Sequence, residues 1–203
     1  MSAVVPTYHH GNLKQALLDK ALAQLKEVGP DKLSLRALAR DIGVSQTAPY
    51  RHFSDKTDLL ACLAAEGFRR LRDATLRVIK EHDGALQQLH ASGRAYVLFA
   101  RQNADLYRLM FGPMIPPELD HEELKSAGNE ALSTFISIIH HGIERGAIAP
   151  ENPMVWANCA WCMVHGIASL LIDDRFMCTE TQFLDEDLEK ALALLERGMA
   201  LRG

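Results

Sequence analysis

Residues 34–60, SLRALARDIGVSQTAPYRHFSDKTDLL, admit few folds. Leu35, Leu38, Ala39 and Ile42 recur at helical spacing, which gives a helix with one apolar face. Ser34 stands where a side-chain oxygen can cap that helix. Gly43 supplies the turn that follows, since glycine takes positive φ at no steric cost. Val44 fills the gap between two helices, and Ser45 is placed to cap a second one, Gln46 to His52. Phe53 anchors its end in the core. Ser54 is expected to cap the next helix, with Lys56 and Thr57 at its start, where free N–H groups attract phosphate. Two short helices joined by a glycine turn make a helix-turn-helix, whose second helix enters the DNA major groove.

That second helix is unusual in what it offers. Gln46, Thr47, Pro49, Tyr50, Arg51 and His52 are polar, aromatic or rigid, and only Ala48 is small and apolar. Gln46 suits adenine bidentately, and the Thr47 methyl suits a thymine methyl. Tyr50, His52 and Lys56 are expected to hold phosphates, and Ser34 and Arg36 the flanking backbone.

The string resembles the tetracycline-repressor (TetR) family of bacterial transcription regulators. The resemblance rests on Leu35-Arg36-Ala37-Leu38-Ala39, Gly43-Val44-Ser45, Tyr50-Arg51-His52-Phe53 and Lys56-Thr57-Asp58-Leu59-Leu60, and covers roughly residues 8–72. Tyr8-His9-His10-Gly11-Asn12-Leu13 resembles the opening of one branch of the family. Farther on, Trp161-Cys162-Met163-Val164-His165-Gly166 is similar to the WHG-type C-terminal regulatory domain. The resemblance implies DNA contacts at the motif positions, Ser45 and Pro49 among them. It also implies a homodimer on palindromic operator DNA, a small-molecule effector in the C-terminal domain, and a repressor released by that effector.

The charge distribution agrees. Overall charge is −4, but residues 1–72 hold 11 Lys/Arg against 7 Asp/Glu, while residues 73–203 hold 11 against 19. A basic head on an acidic body is the asymmetry expected of a DNA-binding protein.

All regular segments read as helix, about nine in all. The first runs from about Asn12 to Val28 and stops at Gly29-Pro30. A long fourth helix leaves the motif near Lys56 and runs toward Ile79, a natural lever between head and body. Others span about 86–103, 105–111 and 122–145. Asn152-Pro153 is a strong start signal for a helix to about Leu171, and the last covers about 185–201. The expected division is a helix-turn-helix domain over 1–55 and a helical ligand-binding and dimerisation domain over 56–203.

In the body, Trp161 and His165 are i, i+4 neighbours that could line a cavity, with His165 orienting a ligand. Tyr96, Phe99, Met110 and Phe111 are further candidates for its walls, with Leu106 and Met114 beside them. Each could equally be ordinary core. Gly166, Ala168 and Ser169, with the stripe Leu188, Ala191, Leu192, Leu195 and Met199, suggest a dimer interface on the last two helices.

Cys159, Cys162 and His165 offer a second reading, a helical metal- or redox-sensing or small-molecule-binding protein. A fourth ligand is missing from that segment, and cysteine also packs as a small hydrophobe. No metal or other cofactor is therefore expected. An arm over residues 7–12, with His9 and His10, could lie along the minor groove. No catalytic grouping stands out, so an enzyme is disfavoured. The four cysteines do not form a disulfide framework, and no apolar run of membrane-spanning length is evident, which makes a cytoplasmic, membrane-free protein the default.

Overall fold

The computed structural model describes residues 13–176 and 185–201. The arm with His9 and His10, and Cys178, lie outside them. Among the described residues all regular structure is helical, apart from one isolated bridge between Ile148 and Ala200. The α-helices are α1 (Leu13–Val28), α2 (Leu35–Asp41), α3 (Lys56–Glu81), α4 (Ala85–Gln102), α5 (Ala104–Phe111), α6 (Glu122–Glu144), α7 (Pro153–Ile172) and α8 (Asp185–Met199).

The second element of the motif is not the expected α-helix over Gln46–His52. It is a 3-10 segment, Ala48–Arg51. Proline 49 has no N–H to give to the carbonyl of Ser45, and Ala48 N donates there instead, at 3.0 Å. Two helix starts also differ from expectation. Ser34 occupies the N-cap position of α2, yet its side chain makes no capping bond. The cap of α3 is Asp55 rather than Ser54: its side chain accepts from Asp58 N at 2.9 Å, and Ser54 N donates to Asp58 Oδ2 at 2.7 Å.

Helix α3 organises everything else. Its 26 residues extend about 39 Å at 1.5 Å per residue. Leu59, Leu60 and Leu63 join Leu17, Leu18, Leu25, Leu38 and Phe53 in one buried cluster, which continues through Leu71 to α4, α5, α7 and α8. Helices α4, α5 and α6 pack against α3, and α7 and α8 pack in turn on α4. A second cluster, with Leu89, Ile138, Ile139, Ile148 and Met199, closes the opposite end of the body.

Helices α7 and α8 each correct an expectation. Helix α7 contains no Asp, Glu, Lys or Arg, and a window of mean hydropathy 1.5 makes it long and apolar enough to cross a membrane by length and composition. One face of it packs inward through Ala157, Ala160, Val164, Ile167 and Ala168. Its exposed apolar residues include Met154, Val155 and Leu170. On α8, Leu188, Leu192 and Met199 are buried within the subunit, so the stripe read as a dimer face packs internally. Leu194 and Leu201 are the large apolar side chains left exposed there.

Where helices cross closely, glycine is required. A Cβ on Gly142 of α6 would lie 2.5 Å from Ile148 Cδ1 and 2.9 Å from Ala85 Cβ, whereas one on Gly128 would meet nothing within 4 Å. Gly142→Ala is expected to destabilise the fold by about 1–3 kcal/mol through overpacking. Gly128→Ala should be neutral or slightly stabilising. Chemical denaturation of both variants checks the contrast, and equal effects would contradict it.

Candidate DNA-reading surface and effector cavity

The turn of the motif is held from beneath. Gly43 adopts φ +76°, and Val44 N donates to Ala39 O at 2.9 Å. Pro49 is buried and Phe53 is only 1% exposed, so the two pin the 3-10 segment to the core from one side. The other side presents Ser45, Gln46, Thr47, Tyr50, Arg51 and His52 to solvent, with Arg36 exposed on α2. Tyr50 is 47% exposed, which removes it from the core. Ser45 Oγ and Thr47 Oγ1 lie 3.2 Å apart and fix each other. Pro49 therefore differs from its expected role: its ring is turned away from the surface and serves to position the others. Lys56 Nζ donates to Asp31 O at 2.5 Å, which ties the start of α3 to the loop before α2 while leaving further ammonium protons free.

Asp58 is the junction of head and body, a role that no local pattern in the chain announces. Its Oδ2 accepts from Ser54 N and Oγ, next to the reading segment. Its Oδ1 accepts from His121 Nε2 at 3.0 Å, at the start of α6. Burial works against the Asp58 carboxylate, but the bonds from Ser54 and His121 outweigh it and hold its pKa below the usual value. Alongside, Glu123 of α6 pairs with Lys14 of α1 at 2.8 Å and with Arg69 of α3 at 2.5 Å. Burial opposes ionisation of Glu123 too, yet these two cations bring it down to about 2.

Asp58, Cys62 and His121 place ligand-type atoms within 4.8 Å of one another. They do not suit a metal. His121 Nδ1 accepts the N–H of Leu124 at 3.2 Å, so the ring proton sits on Nε2, the atom that would have to ligate. Burial, and then the Glu123 charge, push the Cys62 thiol up to about 12, so it stays protonated.

In the body, α3, α4, α6 and α7 surround a cavity of about 330 Å³. Leu71 and Thr75 of α3 and Leu89, Ser92 and Gly93 of α4 form its buried wall, while Asn129, Leu132, Asn158 and Trp161 are exposed at its mouth. Of the expected ligand residues, Tyr96, Phe111 and Trp161 line it. Phe99, Met110 and His165 do not. Phe99 is buried on α4, and Met110 fills the space above Gly67, where a Cβ would come within 2.5 Å of its sulfur.

His165 stands one layer behind the wall. Its Nδ1 accepts from Tyr107 Oη at 2.6 Å and lies 3.1 Å from Tyr96 Oη. The two phenols are 3.0 Å apart, and Trp161 Nε1 donates to Tyr96 Oη at 3.3 Å. Phe111 packs against Tyr107, Trp161 and His165. Burial raises both phenol pKa values and lowers that of His165, so the network is neutral throughout. It fixes the orientation of two cavity residues, Tyr96 and Trp161. Ser92, Asn129 and Asn158 are wall or rim groups that sequence reasoning missed. Isolated polar residues on helices carry no periodic signal.

Cys159 and Cys162 are exposed on α7, while His165 bonds inward to the two tyrosines. Residues six apart on an α-helix diverge by about 120°, so Cys159 and His165 do not share a face. The grouping considered for metal or redox sensing is not assembled.

An exposed polar row on a buried anchor, joined by one long helix to a body with an internal cavity, defines a DNA-binding transcription regulator. Residues 17–63 match the family profile of bacterial regulatory proteins of the tetR family, and residues 89–195 that of the tetracyclin repressor-like C-terminal domain. The chain belongs to the TetR family. A protein of unknown function from Rhodococcus sp. RHA1 is 34% identical, with a TM-score of 0.84 over 97% of this chain and 100% of that one. The nucleoid occlusion factor SlmA of Idiomarina loihiensis is 25% identical over 84% of this chain and 89% of its own length. The class D tetracycline repressor protein of Escherichia coli is 34% identical over 95 residues, 47% of this chain and 38% of the repressor.

Two outcomes follow from these bonds. A carboxylate held below its ordinary pKa adds stability above that ordinary value and loses it as pH falls through the lowered one. Glu123→Gln should therefore be less stable than the wild type at neutral pH. The gap should close as pH falls from 4.5 toward about 2. Melting curves across that range test this, and a pH-independent gap would overturn it. His165→Ala removes one of the hydrogen-bond partners of Tyr107, which keeps Tyr96, and should cost about 0.5–1.5 kcal/mol of stability. A variant as stable as the wild type would show that the network holds nothing in place.

Proposed function

We propose that the protein is a ligand-responsive repressor. It binds palindromic operator DNA as a homodimer and is released when a small molecule occupies the cavity. The observation that carries this reading is the geometry of α3. One end of this helix is capped directly after the exposed reading segment, and the other end lines the cavity through Phe68, Leu71 and Thr75. We divide the chain into a DNA-reading domain over 1–55 and a ligand-binding and dimerisation domain over 56–203.

Gln46 and Thr47 read base edges. Tyr50, His52, Arg36, Ser34, Ser45 and Lys56 hold the sugar–phosphate backbone, and Pro49 sets their height from beneath. Exposed apolar side chains on α7, on α8 and just beyond it, Val155, Leu170, Leu194 and Leu201 among them, supply the dimer face. Gly166 and Gly198, which meet nothing within 4 Å, allow close approach there. Two-fold symmetry then presents two heads to two half-sites. Burial of this face between subunits also accounts for so apolar a helix in a protein that works on cytoplasmic DNA.

The switch is mechanical. A ligand between α3, α4, α6 and α7 moves α6 and α3 relative to each other. The Asp58–His121 and Glu123–Lys14 contacts pass that movement to the head. Release requires only that the ligand bind more tightly to the head spacing that does not fit the operator.

Selection of DNA fragments on the purified protein should enrich a near-palindrome with half-site centres about 34–36 Å apart or a small multiple of that. Arg36→Ala should weaken binding to all sequences and reduce the salt slope by about one. Thr47→Ala or Gln46→Ala should cost about 1–3 kcal/mol, chiefly on the selected site. Retention of DNA without any enriched palindrome would sink the reading.

A further inference from the structure

The cavity walls carry enough chemistry to state what they accept. None of the residues lining the cavity is Asp, Glu, Lys, Arg or His. Phe68, Phe111, Phe135 and Trp161 give it aromatic walls, and Leu71 and Val164 add aliphatic ones. Among the polar groups on the inner wall, the Thr75 hydroxyl already donates to Leu71 O at 3.2 Å. The Tyr96 hydroxyl is held by Tyr107, His165 and Trp161.

Ser92 is different. It is 4% exposed, and its Oγ is buried with no hydrogen-bond partner. A serine inside a helix ordinarily bonds back to the carbonyl one turn earlier or reaches water. Buried hydroxyls without partners are rare enough to require a reason. Ser92 itself lines the cavity, beside Leu89, Gly93 and Tyr96.

We propose that the cavity takes an uncharged, mainly aromatic or apolar molecule bearing one hydroxyl or carbonyl oxygen, which hydrogen-bonds to Ser92 Oγ. The inference rests on the reading of this cavity as the effector site and adds the chemical class of the effector. Three physical reasons join here. A hydroxyl can donate or accept, so either type of oxygen satisfies Ser92. Flat aromatic bodies match walls of Phe and Trp. A carboxylate or ammonium entering the cavity would lose its hydration with no opposite charge to meet it. The rim amides of Asn129 and Asn158 sit at the solvent end, where they leave the inner hydroxyl as the group that sets orientation.

The test uses the full-length protein and three probes that share one ring system: 2-naphthol, naphthalene and 2-naphthoate. Equilibrium dialysis should show 2-naphthol bound about tenfold more tightly than naphthalene, the size of one good hydrogen bond. 2-Naphthoate should bind the weakest. In Ser92→Ala, 2-naphthol should fall to the level of naphthalene, while naphthalene binds as before and the melting curve stays close to that of the wild type. Naphthoate binding as tightly as naphthol in the wild type would overturn the proposal without any variant. So would equal binding of naphthol and naphthalene, an equal loss of both in Ser92→Ala, or no binding of any probe. Operator release is measured separately. Selective binding of 2-naphthol with DNA still held supports the assignment of Ser92 and sinks the switch reading instead.

Discussion

A single uninterrupted helix carries two burial problems at once. The first turns of α3 bury Leu59, Leu60 and Leu63 beneath the helix-turn-helix, and its later turns bury Leu71, Thr75 and Val78 against the body. Neither apolar face could be withdrawn without exposing the other, because a helix of 26 residues has no joint along its length. The reading surface therefore inherits its position from packing in the body. The cavity lies against the same helix, which on the proposed function is how a guest there reaches the head.

Charge is confined to the seams between elements. Asp58 and Glu123 lie where α1, α3 and α6 meet, with every carboxylate oxygen the junction uses matched to a donor from another element. Removing one partner from such a cluster leaves a partly buried charge uncompensated, which is costlier than the net worth of the pair. At the cavity wall the rule is reversed. Tyr96 and Trp161 in the wall and Tyr107 and His165 behind it satisfy one another as neutral groups, and among the buried side-chain hydroxyls of the described residues that of Ser92 is left over. On the proposed function, the contrast separates a seam that transmits position from a chamber that selects chemistry.

Much of this was legible in the chain. Periodic apolar residues located α1, α2 and the five body helices to within a few residues. Gly43, Asn152-Pro153 and Gly29-Pro30 marked turns and starts where they occur. The exposed row from Gln46 to His52 was visible because its residue types make little sense in a core. The differences are local and physical. Pro49 stands among contact-type residues in the chain, yet its missing N–H shortens the segment to a 3-10 turn and its ring is buried. The α8 stripe was rightly apolar, but periodicity does not say which surface covers it. Gly93 of α4, with Leu192 Cδ2 only 2.5 Å from where a Cβ would stand, shows that α4 does.

The sequence by itself determined the all-helical architecture, the reading segment and the membership of its family, because those depend on spacing along the chain and on backbone permissions at glycine and proline. Tertiary structure alone decided which side chains share a site. His121 and Asp58 are 63 residues apart and Tyr107 and His165 are 58 apart, and no local pattern pairs them. The same holds for the step of His165 from cavity wall to second layer. It holds above all for Ser92, whose meaning lies in a partner it lacks, and an unsatisfied hydroxyl exists only once the surrounding helices have closed over it.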